Sequence, residues 1–586
     1  MSNIDDLFRK PNGATWSSSA KRKLEAPDAN EVYKSSKHSA DDDAKHGKNG
    51  QATIEDEVED DDTEAGPELP PDEDEEVSDD EEGRFFGGGV NKETKEAMRF
   101  LDTTDGEEIV EEKTDAAWAR RLATNLERKI TRNSTQRAKF EGQPENFMES
   151  ETELDAEVKA LSILTEHADF YEDFVSAGGA GYLVGLLAHD NVDIAINVIE
   201  ILAELLDDDV QVEQSQWDSL VHAILNEDLI NLLVQNFDRY DEAGNENDRQ
   251  GVYHSLAVLE ALGSQISIAE RAGTEEAFRV LLARIQVPEA DLTQNKQYAA
   301  EVLQVLLQES ALLRRRVISL GGVGTTLQLL APYRRRDPEE NSLEEEYVLN
   351  LFNALICLVQ ENVGKEAFIE EEGVELALIM LREGRLSKWE ALKTLDHATV
   401  TRGQAVCEKI VEAAGLKTIF SLFKKKLDNR QTENLLDIVA AMLRFLPGES
   451  AERIRTVSKF TEKDCEKVTK LLQWRQEFAA NVDKVDQQII KERQSIPTSQ
   501  QEDMADDWYL RRLDAGLVVL QTLNTIIAWL AAEDKAASRQ IRIGLENVGE
   551  SISDIKKALE VQLAGADETA DEDFAEMLKA LIEALS

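Results

Sequence analysis

Gly181-Tyr182-Leu183-Val184-Gly185-Leu186-Leu187, followed by the run Val192 to Leu206, decides the fold. A glycine-bearing corner opens a short leucine-rich helix. After a polar loop comes a longer helix whose apolar residues recur at three- and four-residue spacing. Within the longer run Ala195, Ile199, Leu202 and Leu205 fall on one stripe, the side expected to face a core. The same order of events restarts at Asp228, Gly273, Gly324, Gly373 and Gly415, with steps of 47, 45, 51, 49 and 42 residues. The corner needs a residue tolerant of positive φ and of close helix approach. Gly178-Gly179, Gly321-Gly322 and Gly324 supply it, and Asp228 stands in for glycine at the second corner.

Helical repeats of this period are the size of armadillo and HEAT units, none of which buries its apolar face alone. Strand-like alternation is nearly absent, and 11 prolines punctuate 586 residues. The expected class is therefore all-α, an armadillo/HEAT-type α-solenoid wound as a right-handed superhelix. Residues 151–447 hold the repeats. Residues 91–150 read as an N-terminal helical cap, with a turn near Thr103-Thr104-Asp105-Gly106 and a break at Gln143-Pro144-Glu145-Asn146. Residues 448–586 read as C-terminal helices that close the solenoid. They are interrupted at Ile496-Pro497-Thr498-Ser499 and end in a bundle from Trp508 to Ala584.

Residues 1–90 differ in kind. They carry 26 acidic and 10 basic side chains, basic-leaning over 1–40 and purely acidic over 55–82, where 18 of 28 residues are Asp or Glu. Such a run cannot bury enough apolar surface to offset its ordering entropy, so a disordered acidic N-terminus is expected. The whole chain has 118 acidic against 65 basic residues, a net −53. That charge disfavours direct contact with nucleic acid phosphates and favours basic partners. Arg314-Arg315-Arg316 and Arg334-Arg335-Arg336 are the local exceptions, and pairing with the surplus acid is their expected fate.

Three separated cysteines, Cys357, Cys407 and Cys465, support neither a disulfide framework nor a zinc site and suit a reducing compartment. No apolar run approaches membrane-spanning length, and residues 1–10 lack a signal-peptide core. The seven histidines show no metal-type spacing, Gly321-Gly322-Val323-Gly324-Thr325-Thr326 lacks the P-loop lysine, and Gly87-Gly88-Gly89 opens no dinucleotide-binding unit. No catalytic residue, metal or cofactor is expected. Lys21-Arg22-Lys23 reads as a nuclear localisation signal, and Ser78, before Asp79-Asp80-Glu81, as a phosphorylation site in an acidic context. The basic arm 1–40 is also a candidate competitor for an acidic groove.

A solenoid binds through the face built from the last helix of each unit. Register places Glu200 and Glu204 there, one turn apart, with Asp207-Asp208-Asp209 at the helix end. Glu260, Gln304, Gln308, Asn350, Asn353, Asp396 and His397 fall at comparable positions in later units. Carboxylates so placed favour Lys or Arg by charge and by charge-assisted hydrogen bonds.

Several segments together resemble the beta-catenin-like protein 1 family. They are Phe147-Met148-Glu149-Ser150, Leu187-Ala188-His189-Asp190-Asn191, Leu232-Leu233-Val234-Gln235-Asn236 with Asp238-Arg239, Leu386-Ser387-Lys388 through Leu395-Asp396-His397-Ala398, and Tyr509 to Gln521. The resemblance spans about residues 144–570, with Tyr509 to Gln521 the most specific part. It implies an armadillo-like nuclear protein that acts in pre-mRNA splicing beside the NineTeen complex and binds basic, localisation-signal-like segments of that complex's Myb-like subunit. Importin-like armadillo proteins use Trp and Asn where this chain has carboxylates, so a plain importin mode does not carry over. Two other readings remain: a nuclear import carrier for basic cargo, and an acidic histone-type chaperone acting through residues 55–82. The C-terminal amphipathic helices leave a homo-oligomer open.

Overall fold

The computed structural model describes residues 113–497, 501, 504–565 and 572–585, and among these every regular element is a helix. The acidic N-terminus, the turn at residues 103–106, Lys21-Arg22-Lys23 and Ser78 lie outside the described residues.

The chain enters through α1 (Ala116–Lys139), a single turn of 3-10 helix at Pro144–Asn146, and α2 (Met148–Ala160). The expected boundary at residue 150 therefore falls inside a helix. Six three-helix units follow. They are α3 (Tyr171–Ser176), α4 (Gly179–Leu186) and α5 (Val192–Leu206); α6 (Gln214–Asn226), α7 (Leu229–Phe237) and α8 (Glu246–Ala261); α9 (Ile266–Ala272), α10 (Glu275–Gln286) and α11 (Gln294–Glu309). The next three are α12 (Ala311–Ser319), α13 (Gly322–Leu330) and α14 (Leu343–Leu358); α15 (Asn362–Glu370), α16 (Gly373–Glu383) and α17 (Leu386–Thr399); α18 (Gln404–Glu412), α19 (Leu416–Ser421) and α20 (Asn429–Phe445). All six expected restarts fall within two residues of the start of the second helix of a unit. The first helices are mostly short, 6 residues in α3 and 7 in α9, and show no clear period in the sequence; α6, at 13 residues, is the long exception.

The corners are built by repeated chemistry. The residue before the second helix has positive φ at Gly178 (87°), Asp228 (65°), Gly321 (78°) and Glu372 (57°). At Asp228 the side chain accepts from Asn231 Nδ2 at 2.6 Å, which helps a non-glycine residue hold the left-handed region. The glycine that follows lies against the residue five positions back. A Cβ on Gly179 would sit 2.4 Å from Phe174, on Gly322 2.4 Å from Val317, and on Gly373 2.3 Å from Phe368. Gly179 and Gly322, rather than Gly181 and Gly324, are thus the equivalent corner residues.

The third helices carry the length. Five of them start with a side-chain cap: Asn191 for α5, Asn245 for α8, Thr293 for α11, Ser342 for α14 and Asp428 for α20. Asp428 and Gln431 form a reciprocal capping box on α20. Each long helix packs on the next, giving one inner layer α2–α5–α8–α11–α14–α17–α20. Ala195, Ile199, Leu202 and Leu205 are all buried, as their spacing predicts.

Beyond Pro447 the layer is continued by α23 (Leu517–Glu533), reached through α21 (Ala451–Ser495) and α22 (Ala505–Asp514). Then α24 (Lys535–Glu546), α25 (Ile552–Ala564) and α26 (Glu572–Ala584) complete the bundle. Helix α21 is broken where Lys463, Asp464 and Cys465 take positive φ. Buried Arg453 ties this part to the repeats: it stacks on Trp529 at 4.8 Å, pairs with Glu533 and donates to the Leu443 and Leu446 carbonyls. Among the described residues no single helix is long and apolar enough to cross a membrane.

Candidate peptide-binding groove

Successive inner helices are joined side to side by a ladder of polar contacts. Asn197 on α5 donates to Asp155 on α2, and Asn247 on α8 donates to Asp193 on α5 at 3.0 Å. Tyr298 on α11 donates to Glu260 on α8 at 2.5 Å, Lys393 on α17 to Asn353 on α14 at 3.2 Å, and Thr522 on α23 to Asp437 on α20 at 3.3 Å. The side chains reach each other because one inner helix lies directly on the next and their polar stripes share a register.

The expected acidic residues other than Asp396 gather on the first two of the repeat-bearing inner helices, α5 and α8. Glu200 and Glu204 are half-exposed on α5. The Glu200 carboxylate lies 3.8 Å from His254 Nε2 on α8, and Glu204 accepts from Ser162 Oγ at 2.6 Å. Burial lowers the pKa of His254 against the pull of Glu204, so the imidazole is neutral near pH 7 and does not cancel Glu200. At the end of α5 the carboxylates of Asp207, Asp208 and Asp209 lie within 4.8 Å of one another. Glu260 adjoins that end. Burial raises its pKa, and the negative charge of Glu301, Asp208 and Asp207 raises it further, against the lowering effect of the Tyr298 hydrogen bond. This is same-sign crowding in a partly dry place, the setting in which an incoming cation gains most.

Aromatic rings line the same place. Tyr253 and Tyr298 have centroids 5.1 Å apart, and Tyr253 meets His254 edge-on at 5.7 Å. Glu301 and Tyr298 had no part in the expected set. They lie on the stripe of α11 that carries Gln304 and Gln308, one and two turns earlier, so extending that stripe backwards finds them. Gln304 is half-buried and Gln308 exposed. Downstream the acid thins out: Asn353, one turn after Asn350 on α14, accepts from Lys393 on α17, and His397 lies half-buried one turn after Lys393.

Asp396 requires a correction. It is 1 % exposed and belongs to the interior, where its charge acts on Lys365. Lys365 donates to the carbonyls of His397, Ala398 and Val400 at 3.2, 2.9 and 2.9 Å, closing the end of α17, and burial lowers its pKa to about 8. The helical period misplaced Asp396 because one residue of register separates the open face from the core side here.

The arginine triplets pair internally. Arg314 and Arg315 share Glu361 at 3.0 Å each, and Arg316 donates to the Gly273 carbonyl. Arg334 bonds the Ala331 carbonyl at 2.7 Å, Arg335 pairs with Glu383 at 3.4 Å, and Arg336 with Glu344. All three cysteines are free and buried, and burial pushes the Cys407 thiol up to about 12, the opposite of an activated nucleophile.

Comparison with known proteins fits this architecture. A family model described as catenin-beta-like, Arm-motif containing, nuclear, matches residues 95–560. The beta-catenin-like protein 1 homolog of Schizosaccharomyces pombe is 33 % identical over 482 residues, covering 82 % of this chain and 84 % of that protein. Beta-catenin-like protein 1 of Rattus norvegicus is 33 % identical, and that of Homo sapiens 32 %, each over 441 residues, covering 73 % of this chain and 77 % of theirs. The chain belongs to the catenin-beta-like, Arm-motif-containing nuclear family.

Proposed function

We propose that this chain is a nuclear scaffold whose inner face receives lysine- and arginine-rich segments of pre-mRNA splicing proteins. The observation that carries the reading is the placement of Glu200, Glu204, Asp207 and Glu260 on two adjoining inner helices, with Glu301 on the third, where burial first and then the neighbouring negative charge raise the pKa of Glu260. A lysine or arginine entering there relieves like-charge repulsion and gains charge-assisted hydrogen bonds worth roughly 1.5–3 kcal/mol each. The family description supports residence in the nucleus. The splicing role, and basic segments of the Myb-like subunit of the NineTeen complex as partner, come from the family resemblance of the sequence. The fold is that of a scaffold, and binding rather than catalysis is its proposed task.

The test is titration of the full chain with a localisation-signal-like peptide, beside a Glu200→Gln/Glu260→Gln variant. Saturable binding that falls at least about ten-fold in the variant supports the groove, since two charge-assisted contacts are lost. Equal binding by both proteins refutes it. Loss on deletion of residues 55–82 with the groove intact favours the acidic-chaperone reading. An import carrier additionally has to bind a transport receptor while holding its cargo.

A further inference from the structure

Leu386-Ser387-Lys388, at the start of α17, takes no part in the acidic groove. The residue before this helix supplies no side-chain cap. The Leu386 amide donates instead to Asp337 Oδ1 at 3.0 Å, and Asp337 lies 3.9 Å from the Arg385 guanidinium. The amides of Ser387 and Lys388 have no partner among the described residues. Ser387 is 1 % exposed, and its Oγ is buried and without a partner as well. A buried hydroxyl in that state is costly to the fold and calls for a reason.

These donors converge. A Cβ built on Gly384 would lie 2.2 Å from Ser387 Oγ and 3.2 Å from Lys388 N, so the hydroxyl and the amide turn to the same side, over a glycine. The Met380 carbonyl, the acceptor nearest that point, is already taken by the Gly384 amide at 2.8 Å. At the same helix start the half-buried Lys388 side chain meets exposed Lys425, which follows a turn of 3-10 helix at Leu422–Lys424. The two ammonium groups are within hydrogen-bonding reach of one another, and burial, then the charge of Lys425, lowers the pKa of Lys388. Neighbouring Lys424 is engaged elsewhere, with Glu466 at 3.2 Å. Neither Lys388 nor Lys425 pairs with a carboxylate among the described residues, in a protein of net charge −53.

We propose that the start of α17 is a binding site for a phosphate monoester, held by Lys388, Lys425, the Ser387 hydroxyl and the free amides of the first turn. Two ammonium groups side by side repel until an anion comes between them. A helix start adds N–H groups and a partial positive charge. A phosphate monoester carries about −1.5 to −2 at pH 7 and offers three free oxygens to such a set, whereas a carboxylate brings one charge and two oxygens. Entry is beside the lysines, since Lys425 is exposed and Ser387 lies at the floor. A phosphorylated serine of a partner chain and free phosphate present the same chemistry. The inference does not rest on the peptide-groove reading, whose acidic residues lie on α5, α8 and α11.

The experiment is calorimetric titration of the full chain with a phosphoserine peptide that has no lysine or arginine and so is not drawn to the acidic groove. Its glutamate-substituted form and inorganic phosphate are titrated beside it. The variants are Lys388→Gln, Lys425→Gln and Ser387→Ala. The phosphopeptide should bind, inorganic phosphate should compete with it, and the glutamate form should bind at least about ten-fold more weakly. Each lysine variant should weaken phosphopeptide binding about ten-fold, and Ser387→Ala several-fold. In chloride none of the three should melt lower than wild type, because Lys425→Gln relieves repulsion and Ser387→Ala removes an unpartnered hydroxyl. Binding of inorganic phosphate with no affinity for the phosphopeptide supports the site and makes its ligand a free phosphate. No binding of either phosphate probe, undiminished binding by both lysine variants, or equal binding of the glutamate form overturns the inference. A lower melting temperature of Lys425→Gln in chloride also overturns it, since the ammonium then holds the fold.

Discussion

The Tyr298 hydroxyl donates to the Glu260 carboxylate at 2.5 Å, bridging two consecutive inner helices at the point where Asp207 and Asp208 bring the end of a third. The pair fixes a carboxylate in a place that electrostatics alone would leave protonated more readily than usual. Stability and binding therefore pull in opposite directions here.

Glu260→Gln should make the chain more stable at pH 7 and a poorer receptor for basic peptides. The folded pKa of Glu260 is raised, so the folded state holds the proton more tightly than the unfolded state, and stability falls as pH rises through the carboxylate range. At pH 7 the cost is fully present; at pH 4 it is nearly gone. Melting curves should therefore show the variant above wild type at pH 7 and level with it near pH 4, with peptide affinity reduced about ten-fold. A variant less stable at both pH values would contradict the crowding.

Lys365→Met should destabilise by about 1.5–3 kcal/mol, because three carbonyls at the end of α17 lose a charged donor. The pH dependence has a definite sign. Lys365 is lowered to about 8 in the fold, so between about pH 8 and 10 the unfolded chain binds more protons than the folded one. Wild type should gain on the variant over that window, and chemical denaturation at two pH values reads the difference.

Glycine substitutions separate close approach from mere flexibility. Gly322→Ala drives a Cβ to 2.4 Å from Val317 Cγ1 and 2.8 Å from the Val317 carbonyl, and should cost about 1–3 kcal/mol. Gly185→Ala, in α4 with nothing within 4 Å of its Cβ, should stabilise by up to about 1 kcal/mol. Opposite shifts in melting temperature are the expected result.

Arg453→Met should loosen the C-terminal helices from the repeats. The residue is 3 % exposed and joins Glu533 to the Leu443 and Leu446 carbonyls, so its removal leaves a partly buried carboxylate and two carbonyls without their donor. A loss of about 3–5 kcal/mol is expected. Arg453→Lys should rescue little of it, because an ammonium cannot reproduce the guanidinium fork. Limited proteolysis after α20 and the denaturation midpoint read both variants.

The repeat architecture was legible because one physical need recurs at one interval. Corner residues such as Gly178-Gly179 and Gly321-Gly322 announce a tight left-handed turn, and caps such as Asn191 and Ser342 announce the long helix that follows. First helices such as α3 and α9, at 6 and 7 residues, were hidden because they are too short for a period of 3.6 to show. The acidic set was legible in part. Glu200, Glu204 and Glu260 follow from helical register, whereas Asp396 lies on the interior side of its helix, and Tyr298 contributes through a neighbour distant in the chain.

By itself the sequence determined the helical class, the corner positions, the net charge and which long helices carry carboxylates, since these depend on spacing within a few turns. Only the tertiary structure decided which carboxylates crowd together, that Asp396 is buried where its charge acts on Lys365, and that the arginine triplets are engaged at home. Those outcomes depend on packing between residues some 30 to 60 positions apart, such as Glu260 with Tyr298 or Arg137 with Asp190. Burial and inter-helix distance, which set the sign and strength of electrostatics, are not local properties of a chain.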